Sequence, residues 1–571
     1  RRAAFYATNS GIAGLPDQTL AVVRERSLEG GLHESLVVTN HGDEPARVTL
    51  TLEFDADFAD VFQVRSGTVV KAGQVERRVR DDSLVFVYRH GIFVRSTVVC
   101  CTPSPRWQDG RAVYTLELAP QAVWRAEVQV LPVLGDTPVP CPPPRPRSRE
   151  AEGPELEPLA AAIAFAPRLT TPDDALFRAY RRAVADLVAL RLEIAGHVVP
   201  AAGLPWYMAL FGRDALITGM ETLLLGPSLS AGALRVLATY QGRQVDPFRD
   251  EEPGKMPHEI REGELAQLGE VPHSRYYGTV DATPLWLVLL SETYRWTGDL
   301  ELVRELLPAA EAALAWIDRY GDLNGDGFVE YLGRSPKGLV NQGWKDSADA
   351  IRFADGTLAE PPIALCEVQG YVYDAKLRMA ELYEALGQPE RAAELRAAAG
   401  DLRRRFHQAF WLPEEEYVAL ALDARGRPVD GIASNAGHCL WSGILEPEAA
   451  AAVARRLLSP ELFSGWGIRT LSSAMRAYNP ISYHNGSVWP HDTAIAAAGL
   501  ARYELYSHAG QIIEAQLAAA GYEVDVDETR PPGRVAGQGP LRVVRQQQVG
   551  GRVQLVVTCE RYERAEPAPP P

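Results

Sequence analysis

The sequence predicts two domains, an antiparallel β-sandwich followed by an (α/α)6 toroid of helical hairpins that is incomplete at its C-terminal end. Three observations predict this architecture. The chain has 571 residues, which is too long for a single hydrophobic core. Apolar residues alternate at every second position in the first part of the chain, which is typical of half-buried strands. In the second part they recur with helical spacing.

Residues 1–133 are expected to form the sandwich. Short alternating segments such as ARVTLTLEFDADF and AVYTLELAP are separated by turn pairs such as Asp109-Gly110. A series of short strands with tight turns indicates antiparallel sheets and not βαβ units. Residues 134–171 are rich in proline, which disfavours regular structure and predicts an extended linker.

Residues 172–522 are expected to form the helical domain. Segments such as DATPLWLVLLSETYRWTGD and LELVRELLPAAEAALAWIDRYG place apolar residues on one helical face. Long polar and aromatic loops, for example 242–279 and 321–365, alternate with short ones. In a closed toroid of hairpins such long loops gather at one end and carry the chemistry. An open solenoid is the alternative, but the segments show no fixed repeat period. Residues 523–571 are rich in Arg, Gly, Pro and Gln, and we interpret them as a disordered or out-of-frame tail.

Charge and composition exclude several classes of partner. Lysine and arginine number 58 against 74 acidic residues, a net charge of 58 − 74 = −16. Since no basic run offsets it, nucleic acid and anionic membranes are disfavoured. No apolar run reaches transmembrane length, and RRAAFYATNS contains no signal-peptide core. The six cysteines lack metal-site spacing and are interpreted as thiols. We expect a cytoplasmic protein without a cofactor or metal.

The first candidate segment is GLPWYMALFGRDALIT (203–218), where Arg213 and Asp214 stand at the start of an apolar helix. Such a pair can hold sugar hydroxyls, because the guanidinium donates hydrogen bonds and the carboxylate accepts them. The alternative is that Asp214 is a helix N-terminal charge paired with Arg213.

A second segment, KMPHEIREGELA with HSRYYGTVDATPLW (255–286), combines the rings of Tyr276, Tyr277 and Trp286 with the carboxylate of Asp281. Ring faces beside a carboxylate suit a sugar site. Asp281 could instead cap the helix that follows it.

The third segment, NQGWKDSADAI (341–351), places Asp346 directly after Trp344 and Lys345. Glycoside hydrolysis needs a carboxylic acid that protonates the departing oxygen, and apolar neighbours raise a carboxyl pKa towards that task. Asp346 could also be a helix cap at the surface.

A fourth segment, SYHNGSVWPHDTAIAAAG (482–499), carries His484, Trp489 and His491 before an Ala-rich helix. Two histidines could suggest a metal, but no third ligand is evident.

The stretch 321–331, GDLNGDGFVEY, opens like a calcium loop. Because Gly333 stands where that loop needs an acidic residue, we interpret the stretch as a turn.

Together these segments resemble the bacterial glycogen-debranching, amylo-α-1,6-glucosidase-like family, which is related to glucoamylases and other six-hairpin glycosidases. The resemblance is carried by GLPWYMALFGRDALIT, KMPHEIREGELA, YYGTVDATPLW, NQGWKDSADAI, VQGYVYDAKLRMA and NGSVWPHDTAIAAAGLARY. GLHESLVVTNHGDEPARVTLTLEFDADFADVF likewise resembles the N-terminal domain of debranching enzymes.

The resemblance implies an inverting, exo-acting α-glucosidase that acts on an α-glucan or oligosaccharide. Arg213 and Asp214 match the pair that holds the non-reducing glucose, and Asp346 matches the general acid. The other substrate-binding residues that it implies are Trp206, Tyr276, Tyr277, Asp281, Trp344, Lys345, Trp489 and His491.

The C-terminal part departs from the family pattern. Family members continue into a stretch whose Glu is the expected general base, and then into a closing helix. Here ETRPPGRVAGQGP follows instead, and neither feature is matched. The base is therefore unassigned, with Glu523, Asp525, Asp527 and Glu528 as alternatives. Two other functions stay open: a catalytically impaired glucan-binding protein and a disaccharide phosphorylase, although no phosphate site is evident for the latter.

Overall fold

A computed structural model of the chain describes residues 2–11, 14–28, 30–137, 141, 169 and 174–521, with the backbone of 543–549 and 552–557. Its antiparallel β-domain followed by a helical domain confirms the predicted fold class. The last strand of the β-domain ends at Leu134 and the first helix of the next domain begins at Asp174. Most of the predicted linker and tail lie outside the described residues.

The β-domain contains two antiparallel sheets. One has the strand order β1-β2-β3-β10-β7-β6-β5 and the other the order β4-β9-β8. The elements are β1 (Arg2–Thr8), β2 (Leu20–Leu28), β3 (Leu32–Asn40), β4 (Ala46–Glu53), α1 (Val61–Ser66), β5 (Gln74–Arg80), β6 (Ser83–His90), β7 (Phe93–Thr102), β8 (Arg106–Gln108), β9 (Arg111–Leu118) and β10 (Val123–Leu134).

The two sheets pack face to face because each has one apolar side. In β3 every second residue is buried, as the alternating sequence predicts. Val38 and Phe86 from the larger sheet meet Tyr114 and Leu116 from the smaller one in a shared core. The packing of the two inner faces makes this domain a sandwich.

The cysteines depart from the expectation of six thiols. Cys100 forms a disulfide with Cys141, so the thiol interpretation is wrong for this pair. The pairing brings together residues 41 apart in sequence, a distance over which sequence spacing gives no signal. Cys101, Cys366 and Cys439 are buried free thiols.

The helical domain begins with α2 (Asp174–Ala189) and runs to residue 521. Its helices are α3 (Gly212–Glu221), α4 (Ser228–Thr239), α5 (Glu264–Gln267), α6 (Ala282–Thr297), α7 (Leu300–Arg319), α8 (Cys366–Ala385), α9 (Pro389–Phe410), α10 (Asn435–Ser442), α11 (Pro447–Leu457), α12 (Pro490–Arg502) and α13 (Tyr506–Gly521). Short strands connect them: β11 (Arg191–Ile194), β12 (His197–Pro200), β13 (Leu210–Phe211), β14 (Glu259–Ile260), β15 (Ala364–Leu365), β16 (Trp411–Leu412), β17 (Tyr417–Val418), β18 (Ala421–Leu422) and β19 (Pro428–Val429).

The helices form an inner and an outer layer. Helices α3, α6, α8, α10 and α12 each pack against the next to form the inner arc, and α4, α7, α9, α11 and α13 lie outside them. The inner helix α6 is buried all round from Ala282 to Ser291, whereas α7 is amphipathic and exposes its charged side chains. The far end of the arc is covered where α13 packs against α2. Within residues 174–521 this gives five inner helices of the toroid.

Residues 522–571 make up a separate unit. There β20 (Val543–Val549) and β21 (Arg552–Val557) pair as an antiparallel hairpin. None of the helices described above is both long and apolar enough to cross a membrane.

One buried carboxylate joins the sandwich to the toroid. Glu264, at the start of α5, accepts hydrogen bonds from Lys71 (3.0 Å), His90 (2.9 Å) and the Tyr88 hydroxyl, all three on the sandwich. Burial raises the pKa of Glu264, but these hydrogen bonds outweigh it and hold the pKa below its ordinary value. The charged form is therefore the one that the interface stabilises.

Replacing Glu264 should loosen this interface. Glu264→Gln removes the charge that faces the Lys71 ammonium, which we expect to cost about 2–4 kcal/mol. Differential scanning calorimetry should show a midpoint several degrees below that of the parent. Glu262→Gln, at an exposed neighbouring position, is the matched control and should unfold like the parent. An unchanged midpoint for Glu264→Gln would contradict the role of this residue.

Candidate active site

The start of α3 lies against the segment 255–260. Strand β13 pairs with β14 through Leu210↔Ile260 and Phe211↔Glu259. Gly212 then begins the helix in close contact with this segment, since a Cβ atom there would lie 2.1 Å from the Pro257 carbonyl oxygen. A side chain at position 212 would push the two apart. The next residue, Arg213, is thereby fixed at the inner end of the helix.

The guanidinium of Arg213 is the centre of the candidate site. It donates to Asp281 Oδ2 at 2.9 Å and to Asp346 Oδ2 at 3.2 Å. Burial opposes the charge, but the attraction of Asp281 and then of Asp346 outweighs it, so the pKa of Arg213 lies above its ordinary value. The buried cation of Arg213 thus joins two other predicted residues, Asp281 and Asp346, that are far from it in sequence.

Asp281 is bound on both sides. It is buried, and it accepts from the Thr279 hydroxyl as well as from Arg213. It stands at the N-cap position of α6, but its side chain makes no capping hydrogen bond. The capping alternative is therefore wrong, and Asp281 holds Arg213 in place.

Asp346 is the carboxyl group of the cluster that solvent still reaches, with 26% of its side chain exposed. Burial raises its pKa, Arg213 lowers it, and Asp214 and Asp281 raise it further, so that the pKa is about 6. A carboxyl group with this pKa keeps its proton in about a tenth of the molecules at pH 7, far more than an ordinary aspartate does. The arrangement can therefore deliver a proton where an ordinary aspartate could not.

Asp214 follows Arg213 in the first turn of α3. Its neighbour's guanidinium is directed at Asp281 and Asp346, and in the described part of the chain no side chain hydrogen-bonds to Asp214. Burial raises its pKa, while Arg213 opposes the shift. Its carboxylate oxygens are thus available as acceptors.

An aromatic cluster lies beside Asp346, with Trp344 at its centre. Trp344 stacks on His438 at 5.8 Å and contacts the rings of His484, Trp489 and His491 edge-on. Trp344 itself is buried, whereas Trp489 and His491 are half-buried. This cluster gives the site a rigid ring-lined wall next to the carboxyl group.

Two histidines of this wall, His484 and His491, are neutral at physiological pH. Burial lowers the pKa of His484 to about 3 and that of His491 to about 4. His484 Nδ1 lies 2.8 Å from the Ser347 hydroxyl, next to Asp346 in sequence. Among the described residues, no group of three or more His, Cys, Asp or Glu side chains could hold a metal ion. The two histidines contribute ring surface and hydrogen bonds.

The stretch 321–331 forms a turn between α7 and the site. Asp322 accepts hydrogen bonds from the amides of Gly325 and Gly327, and Asn324 Nδ2 donates to Glu330 at 2.8 Å. The residues that suggested a calcium loop are thus bonded within the turn, as the turn interpretation predicts.

Three predicted substrate-binding residues face into the protein. Tyr276 is buried and donates to Asp250, and Tyr277 is buried and donates to the Tyr240 carbonyl. The Lys345 ammonium is also buried and donates to the Thr470 carbonyl. The expectation that these side chains line the pocket is wrong, because their polar atoms are already bonded and shielded from solvent.

Trp206 and Tyr207 lie on the loop that precedes β13. Burial raises the pKa of the Tyr483 hydroxyl, and the nearby Tyr207 and Asp346 raise it further. Trp206 is half-buried and its carbonyl accepts from Arg261 at 3.0 Å. Trp206 lines a groove between the sandwich and the toroid.

Sequence reasoning missed the layer behind Trp344. His438, on α10, has its Nε2 2.8 Å from Asp492 and its Nδ1 bonded to the Tyr371 hydroxyl. Glu367, at the start of α8, is buried with one carboxyl oxygen unpaired, and burial raises its pKa. The sequence around these residues does not distinguish them from ordinary core positions. The one available signal is the match of VQGYVYD, which contains Tyr371, to the family pattern.

Comparisons with known proteins agree with this description. Residues 235–533 match the family model of the mannosylglycerate hydrolase MGH1-like glycoside hydrolase domain. Residues 1–129 match the N-terminal domain of some glycogen debranching enzymes. No protein among the curated sequences matches the chain significantly.

Solved structures of a GH63 mannosylglycerate hydrolase from Thermus thermophilus are similar to this chain. The complex with Tris has 16% identity and a TM-score of 0.42, covering 57% of this chain and 88% of that one. The complex with Tris and D-glycerate has 16% identity and a TM-score of 0.45, over 59% and 90%. The complex with glucose has 17% identity and a TM-score of 0.44, over 59% and 90%.

The electrostatic link between Arg213 and Asp346 can be measured by titration. Since Arg213 stabilises the charged form of Asp346, Arg213→Gln should raise the pKa of that carboxyl group by about one pH unit or more. Carbon-13 NMR of aspartate-labelled protein would follow the titration, with the resonance assigned by its loss in Asp346→Asn. Arg261→Gln removes a buried guanidinium that pairs with Glu259 and should leave the pKa of Asp346 unchanged. A pKa that stays the same or falls in Arg213→Gln would contradict the link.

Proposed function

The chain belongs to the mannosylglycerate hydrolase MGH1-like family of glycoside hydrolases, and on that premise we propose that it is an inverting, exo-acting α-glucosidase. Its proposed reaction is that of an amylo-α-1,6-glucosidase on glycogen-like glucans or oligosaccharides. The observation that carries the proposal is the half-buried Asp346, whose pKa is about 6, held 3.2 Å from a buried arginine beside the unpaired Asp214.

Asp346 is the proposed general acid. Cleavage of a glycosidic bond leaves an oxygen that must gain a proton, and a carboxyl group with a raised pKa supplies it at neutral pH. The proton leaves Asp346 as the bond between the anomeric carbon and the bridging oxygen breaks. Arg213 then stabilises the carboxylate that remains, because it lies within hydrogen-bonding distance.

Arg213 and Asp214 are proposed to hold the terminal glucose. The carboxylate of Asp214 can accept hydrogen bonds from sugar hydroxyls, and it needs no rearrangement because no side chain in the described residues occupies it. The Trp344 cluster supports binding of a sugar ring next to Asp346, since its packed rings offer flat apolar faces.

An inverting mechanism also needs a second carboxylate about 6.5–9.5 Å from the first, with a water molecule between them. We leave the base unassigned. The alternatives Glu523, Asp525, Asp527 and Glu528 lie outside the described residues. Without a base the chain would bind glucan but hydrolyse it slowly. It would then be the catalytically impaired glucan-binding protein, which the assay below distinguishes from an active enzyme.

A mannosylglycerate-type specificity is the other candidate within the family. It is favoured by the description of the matching family model. The two specificities differ in the sugar released and in the charge of the leaving group, since glycerate carries a carboxylate and a glucan does not. Parallel assays with a branched limit dextrin, isomaltose and mannosylglycerate therefore separate them.

Asp346→Asn should abolish most of the activity. Loss of a general acid lowers kcat by about 100- to 10,000-fold, and we expect a similar loss in glucose release from limit dextrin. Asp355→Asn, an exposed position whose carboxylate accepts from Thr357, is the control and should retain full activity. Proton NMR of the early parent reaction should show β-glucose before mutarotation.

Three results would contradict the proposal in different ways. α-Glucose as the first product would indicate retention. Mannose and glycerate released from mannosylglycerate, with no glucose from dextrin, would indicate the other specificity. Calorimetric binding of maltooligosaccharide without any turnover would indicate a glucan-binding protein.

A further inference from the structure

A groove of about 780 Å³ lies where the sandwich meets the toroid, beside the candidate active site. This volume is in the range of small-ligand pockets, which often occur at domain interfaces. Aromatic and aliphatic side chains line both walls: Phe58, Phe62, Phe93 and Leu134 from the sandwich, and Trp206, Met208 and Tyr240 from the toroid.

Among the described residues, the groove exposes contiguous apolar surface. Leu134 is 76% exposed and Met208 is 37% exposed. The half-buried Trp206 ring has no hydrogen-bond or ring partner within the described residues. Contiguous apolar surface of this kind on a protein usually marks a binding site.

The two guanidinium groups at the groove already donate hydrogen bonds within the protein. Arg261 is bonded to Glu259 and to the Trp206 carbonyl. Arg95 donates to the Val94 carbonyl and lies over the Phe93 ring at 4.2 Å. A groove whose two guanidinium groups are satisfied internally favours an uncharged ligand over an anion.

One loop connects the groove with the start of α3, where Arg213 lies. Trp206 lines the groove, and the ring of the next residue, Tyr207, contacts the Phe211 ring edge-on at 5.8 Å, two residues before Arg213. Arg65, on α1 of the sandwich, lies over the Tyr207 ring at 5.5 Å. The loop therefore contacts both the sandwich and the residue that precedes α3.

We infer that this groove binds the sugar units of an α-glucan chain beyond the glucose that is cleaved. The inference rests on the proposed function and names its substrate class. Pyranose rings present a flat C–H face that packs on an indole, and their hydroxyls can donate to the exposed carboxylate of Glu262 at the rim. A chain that runs from Asp346 past Trp206 would use both domains, whereas a glycerate conjugate ends before the groove.

Calorimetry with glucose and with maltoheptaose tests the inference in full-length protein carrying Asp346→Asn, which prevents turnover. We expect maltoheptaose to bind more tightly than glucose, and we call the ratio of the two dissociation constants the gain. Trp206→Ala should reduce this gain at least tenfold. Trp296→Ala removes an indole that is 57% exposed on α6 and does not line the groove, and it should preserve the gain. Leu134→Glu places a charge on the opposite wall without touching the toroid core and should also reduce the gain.

The groove is excluded if Trp206→Ala and Leu134→Glu both keep the full gain, or if the parent binds glucose and maltoheptaose equally. Failure of glucose to bind would instead contradict the proposed function. In that case a tenfold loss of maltoheptaose affinity in Trp206→Ala would still support glucan binding in the groove. Failure of the groove proposal and failure of the proposed function therefore give different results.

Discussion

The candidate site depends on one buried guanidinium, that of Arg213, held between Asp281 and Asp346. A buried cation is costly unless it is paired, and Asp281 supplies a buried partner whose position is also fixed by the Thr279 hydroxyl. Asp346 is then the more weakly bound partner. Burial raises its pKa more than Arg213 lowers it, so the same interaction fixes the position of this carboxyl group and leaves it able to carry a proton.

The fold positions these groups by bringing together the ends of several hairpins. Arg213 starts α3, Asp281 starts α6, and Asp346 lies in the loop that precedes α8. The buried inner helices are fixed by apolar packing on all sides, so their ends are held firmly. Glu264 then anchors the sandwich beside the same rim, which is why the groove next to Trp206 has walls from both domains.

Much of this could be predicted from the sequence, since periodicity determines which face of a strand or helix is buried. The polar pair Arg213 and Asp214 and the segment around Asp346 stood out because a core would not select them. The direction of each side chain could not be predicted. Tyr276 and Lys345 lie in equally conspicuous segments, yet they point inward because a buried carboxylate and a carbonyl accept their hydrogen bonds.

The most direct test of the central claim is a crystal structure of Asp346→Asn with an uncleaved α-1,6-linked oligosaccharide. The account predicts the bridging oxygen within about 2.6–3.2 Å of the residue 346 side chain, with hydroxyls of the terminal glucose bonded to Asp214 and Arg213. A sugar bound away from Arg213, or one whose bridging oxygen faces another residue, would contradict it.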